Sequence, residues 1–318
     1  MAKHVRISTI GAQQYMIEKP QSYQDAVDKI IAHWQKELDQ VLPDKPDLIV
    51  LPEVCDRPAN YNNSVEQIAA YRQTRGRQVQ DFMAGVALKY HCYIAYCAER
   101  DAGDGTFRNS TILIDRRGGM AGIYNKNHLT IEANTQGNMI YGKDAALIQT
   151  DFGRVACAIC FDLNFDELRL KYAAARPDLI VFSSFYHGGL MQAYWAYSCR
   201  AYFVSAIAKA AARSGIISPI GVPVATTTNY FDFVTATVNL DYCQAHLDYN
   251  GAKLTALKKK YGPGVTITDP GYIGSVLITS ETDACSAKTM AREFEIELLD
   301  DYFARALAHR HVPGHIES

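Results

Sequence analysis

Three residues in this sequence have types and settings suited to acyl chemistry. Cys160 closes the apolar run Val155-Ala156-Cys157-Ala158-Ile159 and opens a polar turn, Phe161-Asp162-Leu163-Asn164. Glu53 ends Asp47-Leu48-Ile49-Val50-Leu51-Pro52-Glu53, and Lys126 stands in Ala121-Gly122-Ile123-Tyr124-Asn125-Lys126-Asn127-His128-Leu129. Short apolar runs that end in turn formers read as strands, so each residue is expected at or just past a strand end. Brought to one rim, a thiol, a carboxylate and an ammonium supply a nucleophile, a proton shuttle and a stabiliser of developing negative charge. That set can do acyl chemistry with no metal and no cofactor.

Each residue also has a plainer reading. Alone, Glu53 is more simply a surface carboxylate leaving a sheet, and Lys126 a solvated cation. Cys157-Ala158-Ile159-Cys160 has the C-x-x-C spacing of redox and metal motifs. A redox pair sits in a turn that opens a helix, whereas Cys157 falls inside an alternating strand. A zinc site would need a second ligand pair at short spacing, and the sequence has none. Gly-x-Ser-x-Gly is absent too, so a serine nucleophile elbow has no support.

To meet, the three residues need sheets that bring strand ends to a common edge. Runs rich in β-branched or aromatic residues predict strands over 5–10, 48–51, 92–97, 110–114, 155–159, 179–183, 204–208 and 234–240. Leu48-Ile49-Val50-Leu51 and Leu179-Ile180-Val181-Phe182 are continuous rather than alternating, as in strands buried on both faces. Between residues 23 and 41, Ala26, Ile30, Ile31, Trp34, Leu38 and Val41 fall on one helical stripe. Ser64-Val65-Glu66-Gln67 reads as a capping box opening a helix that runs to residue 90, and helices are expected over 165–175 and 190–203. This order predicts an α/β fold, a mixed sheet system covered by helices. After Asp241 the composition shifts to a Tyr- and Lys-bearing segment, a Gly262-Pro263-Gly264 loop, a short strand over 275–278 and a last helix over 287–310. Residues 1–241 therefore read as the catalytic domain and 242–318 as a C-terminal extension, an appendage on a domain already complete.

Composition narrows the classes. The chain has 318 residues, 48% hydrophobic and 21% charged, as expected of a globular protein with a sizeable core. A net charge of -2 gives no electrostatic footprint for nucleic acid or an acidic membrane surface. No apolar stretch approaches the roughly 18 residues of a membrane span. The start, Met1-Ala2-Lys3-His4-Val5, enters a strand-like run with no signal-peptide core, so a cytoplasmic protein is expected. The eight cysteines are scattered within apolar runs, and most of them are expected as buried free thiols.

Taken together, Leu51-Pro52-Glu53, Tyr124-Asn125-Lys126-Asn127-His128-Leu129 and Cys160-Phe161-Asp162-Leu163-Asn164-Phe165-Asp166-Glu167 resemble, in order and context, the nitrilase superfamily of carbon–nitrogen hydrolases. Arg176-Pro177-Asp178-Leu179-Ile180-Val181-Phe182-Ser183-Ser184 resembles that family's strand after the nucleophile helix, and the resemblance spans residues 4 to 241. It implies a four-layer α-β-β-α sandwich, built into dimers or higher homo-oligomers through the outer helical faces. It also implies roles. Cys160 would form a thioester, Glu53 would shuttle protons, and Lys126 with the backbone N–H of Phe161 would hold the oxyanion. A second glutamate beyond the lysine is frequent in the family, and Glu132 is its candidate here; alone it is a loop carboxylate facing water.

Two departures bear on substrate. Asp166 stands where the family commonly has proline, which alters the helix start. Hydrolases of N-carbamoyl amino acids tend to carry basic residues three and four positions after the cysteine, and this chain has Leu163 and Asn164. Cys-Phe-Asp is similar to the amide-hydrolysing branches more than to the true nitrilases, where Trp-Glu follows the cysteine. The reading is a thiol amidohydrolase of small linear amides that releases ammonia or an amine. Hydrolysis of a nitrile or an N-carbamoyl compound by the same triad, or a catalytically idle scaffold, are the rivals.

Segments after strand ends should form the pocket rim. Tyr186 and His187, after the strand over 179–183, are the substrate-binding candidates beside Phe161; a loop histidine with a local hydrogen bond is the plainer view of His187. Trp195 and its neighbouring tyrosines sit at helical spacing and read as packing. Tyr242, Tyr249, Tyr261 and Tyr272 of the extension could cover a dimer seam or a neighbouring subunit's pocket. The expected partner is otherwise only the small amide substrate.

Overall fold

The apolar runs fold as strands of two six-stranded sheets. The computed structural model describes residues 2–18, 20–61, 64–209 and 212–317. The first half of the chain supplies β1 (His4–Ile10), α1 (Tyr23–Asp39), β2 (Leu48–Val50), α2 (Val65–Arg75), α3 (Gln78–Tyr90), β3 (Tyr93–Asp101), β4 (Phe107–Ile114) and β5 (Met120–Asn125). The second half runs α4 (Ile131–Thr135), β6 (Ile148–Gln149), β7 (Arg154–Ile159), α5 (Asp166–Ala175), β8 (Leu179–Ser184), α6 (Leu190–Cys199), β9 (Tyr202–Ile207), β10 (Gly215–Ile217), β11 (Pro223–Thr226) and β12 (Phe233–Asn239).

Sheet order places the site. The first sheet is β12-β1-β2-β3-β4-β5 and the second β11-β10-β9-β8-β7-β6. β1, β2 and β3 are parallel, and two antiparallel steps through β4 make β5 run the same way as β2. Residues following β2 and β5 therefore emerge at one edge. In the second sheet β7, β8 and β9 are parallel, with Val155 opposite Leu179 and Leu179 opposite Tyr202. Two buried hydroxyls join the sheets face to face: Ser183 Oγ donates to the Leu51 carbonyl and Thr9 Oγ1 to the Ser205 carbonyl, each at 2.7 Å. The carboxyl ends of β2 and β8 thus face each other.

Alternation along β2 explains the layering. Ile49 and Leu51 join the core beneath α1 and α3, with Trp34, Leu38, Met83, Ile94 and Ile112, so Leu48 and Val50 point the other way, toward the second sheet. Beyond that sheet, Leu168 and Tyr172 of α5 and Trp195 of α6 are fully buried, and the Tyr172 hydroxyl donates to the Cys157 carbonyl. The result is an α-β-β-α sandwich. Trp195 packs edge-on to Tyr172, as its spacing implied.

Three expected helices differ. The helix over 64–90 breaks at Gly76, which takes φ +45°, because Arg75 turns inward to bond Asp56 and the Glu99 carbonyl. The one over 190–203 stops at Cys199, where Arg200 takes φ +57° and β9 begins two residues later. The last helix divides into α8 (Ala287–Glu293) and α9 (Leu299–Arg310), separated by Glu295 at φ +51° and the buried Ile296.

Two compact units divide the chain: one spans Val5–Thr237, the other the described residues of Met1–His4 and Val238–Ser318. The second unit adds β13 (Tyr242–His246), α7 (Gly251–Tyr261), β14 (Val265–Thr268) and β15 (Ser275–Ser280), an antiparallel sheet in the order β13-β15-β14. Its own core contains Ala245, Leu257, Val265, Ile278, Met290 and Ala291. Among the described residues no helix is long and apolar enough to cross a membrane.

Candidate active site

The loop after β2 is held by bonds from three directions. Cys55 N–H donates to the Cys97 carbonyl, Trp34 Nε1 of α1 to the Cys55 carbonyl at 2.6 Å, and the Tyr71 hydroxyl of α2 to the Asp56 carbonyl at 2.6 Å. Val54 sits at φ +46°, a region that costs a β-branched residue about 1–3 kcal/mol and persists only when its surroundings over-determine it. The side chain so aimed is that of Glu53, which is 4% exposed.

A buried ion network backs this loop. Arg75 pairs with Asp56, while Arg57 and Arg72 pair with Glu99. Burial drives the Glu99 pKa up, but these two arginines and Arg75 more than offset it and hold the carboxyl below its ordinary value. Asp56, with none of its surface exposed, is pushed up by burial despite Arg75.

Lys126 follows β5 on a backbone clamped from both sides. Its N–H donates to the Asn109 carbonyl at 2.8 Å, and its carbonyl accepts from Gly142 N–H at 2.8 Å. A Cβ at Gly142 would lie 2.1 Å from the Asn125 carbonyl oxygen, so this approach requires glycine. The Lys126 ammonium reaches Glu53 Oε1 at 2.7 Å, and both side chains are 5% exposed. The Asn109 amide donates to the same oxygen at 2.8 Å, and Phe185 N–H approaches Oε2 at 3.3 Å. Burial pulls the Lys126 pKa down, but Glu53 and then Cys160 outweigh it and hold the ammonium above its ordinary value.

Cys160 leaves β7 at φ +48° and starts a short 3-10 turn, Cys160–Asn164. Its thiol interacts with Glu53 and with Ser184 at the end of β8. Burial and then Glu53 push the thiol up to about 11, against the downward pull of Lys126. At neutral pH it therefore rests as a thiol. Cys157 is buried within β7, and both cysteines of the C-x-x-C are free.

The structure thus brings Glu53, Lys126 and Cys160 together. Phe161 is 38% exposed beside the thiol and packs edge-on to Phe165. Tyr186 and His187 follow β8, their rings 4.7 Å apart, Tyr186 half-buried and His187 exposed. Glu132 lies exposed in the first turn of α4, outside the interactions that join the trio. Leu163 is fully buried, and Asn164 turns its amide to the Phe161 carbonyl, so neither position offers a cation. Asp166 opens α5 and pairs with Arg169. A cavity of about 820 Å³ lies among α2, α3 and β3–β5 and touches none of the trio; charge and geometry, not volume, mark this site.

Asn109, Ser184, the Phe185 N–H, Tyr124 and Asp162 escaped the sequence reading. Asn109 lies across a 56-residue gap from Glu53, and nothing near it announces a site. Asp162 carried a signal, an acid one residue beyond Phe161 in the turn after the strand-end cysteine, at a capping position.

A family model described as carbon-nitrogen hydrolase matches residues 6–246. A probable nitrilase of Schizosaccharomyces pombe is 29% identical over 136 residues, 42% of this chain and 48% of that protein. The matched segment thus spans about half the length of that relative. Among solved structures, a carbon-nitrogen hydrolase from Helicobacter pylori superposes with TM-score 0.62 at 15% identity, covering 74% of this chain and 90% of that one. A glutamate-to-glutamine variant of a Nesterenkonia amidase, carrying the acetamide moiety of fluoroacetamide on its active-site cysteine, gives TM-score 0.55 at 14% identity over 75% of this chain and 91% of that one.

Proposed function

The chain belongs to the carbon–nitrogen hydrolase family of the nitrilase superfamily, and from that premise we propose that it is a thiol amidohydrolase of small linear amides. One observation carries the reading: a buried carboxylate, Glu53, contacts the Lys126 ammonium at 2.7 Å and shares its environment with the Cys160 thiol. A scaffold has no use for burying these three groups together, since burying charge is costly.

The chemistry follows from the positions. As Cys160 Sγ attacks the amide carbonyl carbon, its proton passes to Glu53 and the oxygen becomes an oxyanion. Lys126 and the Phe161 N–H, in the first turn where no intrahelical acceptor is available, receive that charge. Collapse of the intermediate breaks the C–N bond. Glu53 returns the proton to the departing nitrogen, leaving a thioester. Glu53 then takes a proton from water as it attacks the thioester, and the acid leaves with the thiol restored. Because the thiol rests protonated, activation is by proton transfer during attack. The missing cations at Leu163 and Asn164 support an amide over an N-carbamoyl amino acid gripped by its carboxylate.

The test is ammonia release across aliphatic amides, aryl amides, carbamoyl compounds and nitriles, with a folded Cys160→Ala variant beside the wild type. Turnover should be confined to the wild type. Near wild-type activity in Cys160→Ala on a confirmed substrate would sink the assignment.

A further inference from the structure

We propose that Asp162 is a positioning residue for this hydrolysis, tying the chain on both sides of Cys160 to the chain on both sides of Lys126. The proposal rests on the amidohydrolase reading above. Asp162 has none of its surface exposed. Its Oδ2 accepts from Ile159 N–H at 3.0 Å and from the Tyr124 hydroxyl at 2.7 Å. Its Oδ1 accepts from His128 N–H at 2.8 Å and lies 2.9 Å from His128 Nδ1, which donates in the Nδ1–H tautomer.

The bracketing is what matters. Ile159 and Asp162 flank Cys160, the residue held at φ +48°. Tyr124 and His128 flank Lys126. One carboxylate therefore joins the loop after β7, in the second sheet, to the loop after β5, in the first. Bonds from both loops converge on the two oxygens of one buried side chain, so this joint resists relative motion of thiol and ammonium. Its donors are themselves fixed. The His128 ring stacks on Phe165 with centroids 3.9 Å apart, and Asn127 donates to the Tyr124 oxygen, leaving the Tyr124 proton aimed at Asp162. Fully buried, Asp162 cannot touch substrate. It acts through the other two residues.

Asp162→Asn keeps the shape but replaces one acceptor with an amide nitrogen, so donors on that side lose their partner. Tyr124→Phe deletes a single donor and guards against a folding failure in the first variant. On the best amide from the ammonia screen, kcat should fall about 100-fold in Asp162→Asn and about 10-fold in Tyr124→Phe, with KM within about 3-fold, as for reacting groups displaced without loss of binding. Iodoacetamide labelling of Cys160, followed by mass at pH 8, supplies a cycle with Lys126→Met. Asp162→Asn should slow labelling about 10-fold in the wild-type background and less than about 2-fold with Lys126→Met, the non-additivity expected of residues acting as one unit. A rise in KM at constant kcat, or a labelling cost carried undiminished into Lys126→Met, overturns the proposal. If Lys126→Met abolishes turnover and neither other variant changes kcat, this proposal alone fails. If Lys126→Met leaves turnover intact, the amidohydrolase reading fails first.

Discussion

Removing the Lys126 ammonium should strand a charge in the core of the Val5–Thr237 unit. The Glu53 and Lys126 side chains are each 5% exposed and meet at 2.7 Å. In Lys126→Met the stem is replaced by apolar volume, while Glu53 keeps neutral partners alone: the Asn109 amide, the Phe185 N–H at 3.3 Å and the Cys160 thiol. Breaking a buried pair by deleting one partner costs about 3–5 kcal/mol, because the remaining charge is uncompensated. The sign with pH follows from the raised Lys126 pKa. Its stabilising contribution is complete below the unfolded lysine value of about 10.4 and is lost only as pH rises through the folded value. The full effect is therefore read at pH 7. The assay is urea unfolding followed by fluorescence, since the two tryptophans, Trp34 and Trp195, are both buried within Val5–Thr237 and report on that unit. With an m-value of about 3 kcal/mol/M, the midpoint should drop by at least about 1 M. Glu53→Gln added to Lys126→Met should restore most of the loss, because no buried charge then remains unpaired. A single variant within about 1 kcal/mol of wild type, or a double variant no better than the single, would refute the reasoning.

Further predictions concern the same trio. Glu53→Gln removes two influences that raise the Cys160 thiol, the charge and the hydrogen bond. Its iodoacetamide labelling curve should move to lower pH even as amide hydrolysis is lost; a curve unmoved or shifted upward contradicts the assignment of Glu53 as the thiol's neighbouring base. In that variant, intact mass should detect an acyl adduct on Cys160 with a substrate amide. Gly142→Ala would place a Cβ 2.1 Å from the Asn125 carbonyl oxygen, push residue 142 away and break its N–H bond to the Lys126 carbonyl, and kcat should fall about 100-fold from misplacement of the ammonium alone. Equal kcat with an ordered 140s loop would show that the clamp does not aim the lysine.

How much of this was legible beforehand differs by residue. Sequence alone marked Glu53, Lys126 and Cys160 as strand-end groups, because a buried strand needs continuous apolar residues and the first polar side chain beyond it must leave the sheet. It also carried helices covering a mixed sheet system, since the stripe through Ala26, Ile30, Trp34 and Leu38 leaves only one face to bury, while the four layers followed from the resemblance. It did not carry the break at Gly76. Local propensity favours one long helix there, and only the buried Asp56 and the Glu99 carbonyl, contributed by other segments, draw Arg75 inward. Nor did it carry Asn109 or Phe185, whose distances to Glu53 exist only once β4 and β8 are in register. Glu132 followed from resemblance, and its short helix leaves it exposed. The sequence by itself determined which groups could do chemistry, since type and strand-end setting are local properties. Tertiary structure decided what they are to one another: a 2.7 Å ion pair, a thiol held near 11 and a single aspartate bracketing both partners. Electrostatics depends on distance and burial, and both are fixed only when the two sheets close face to face.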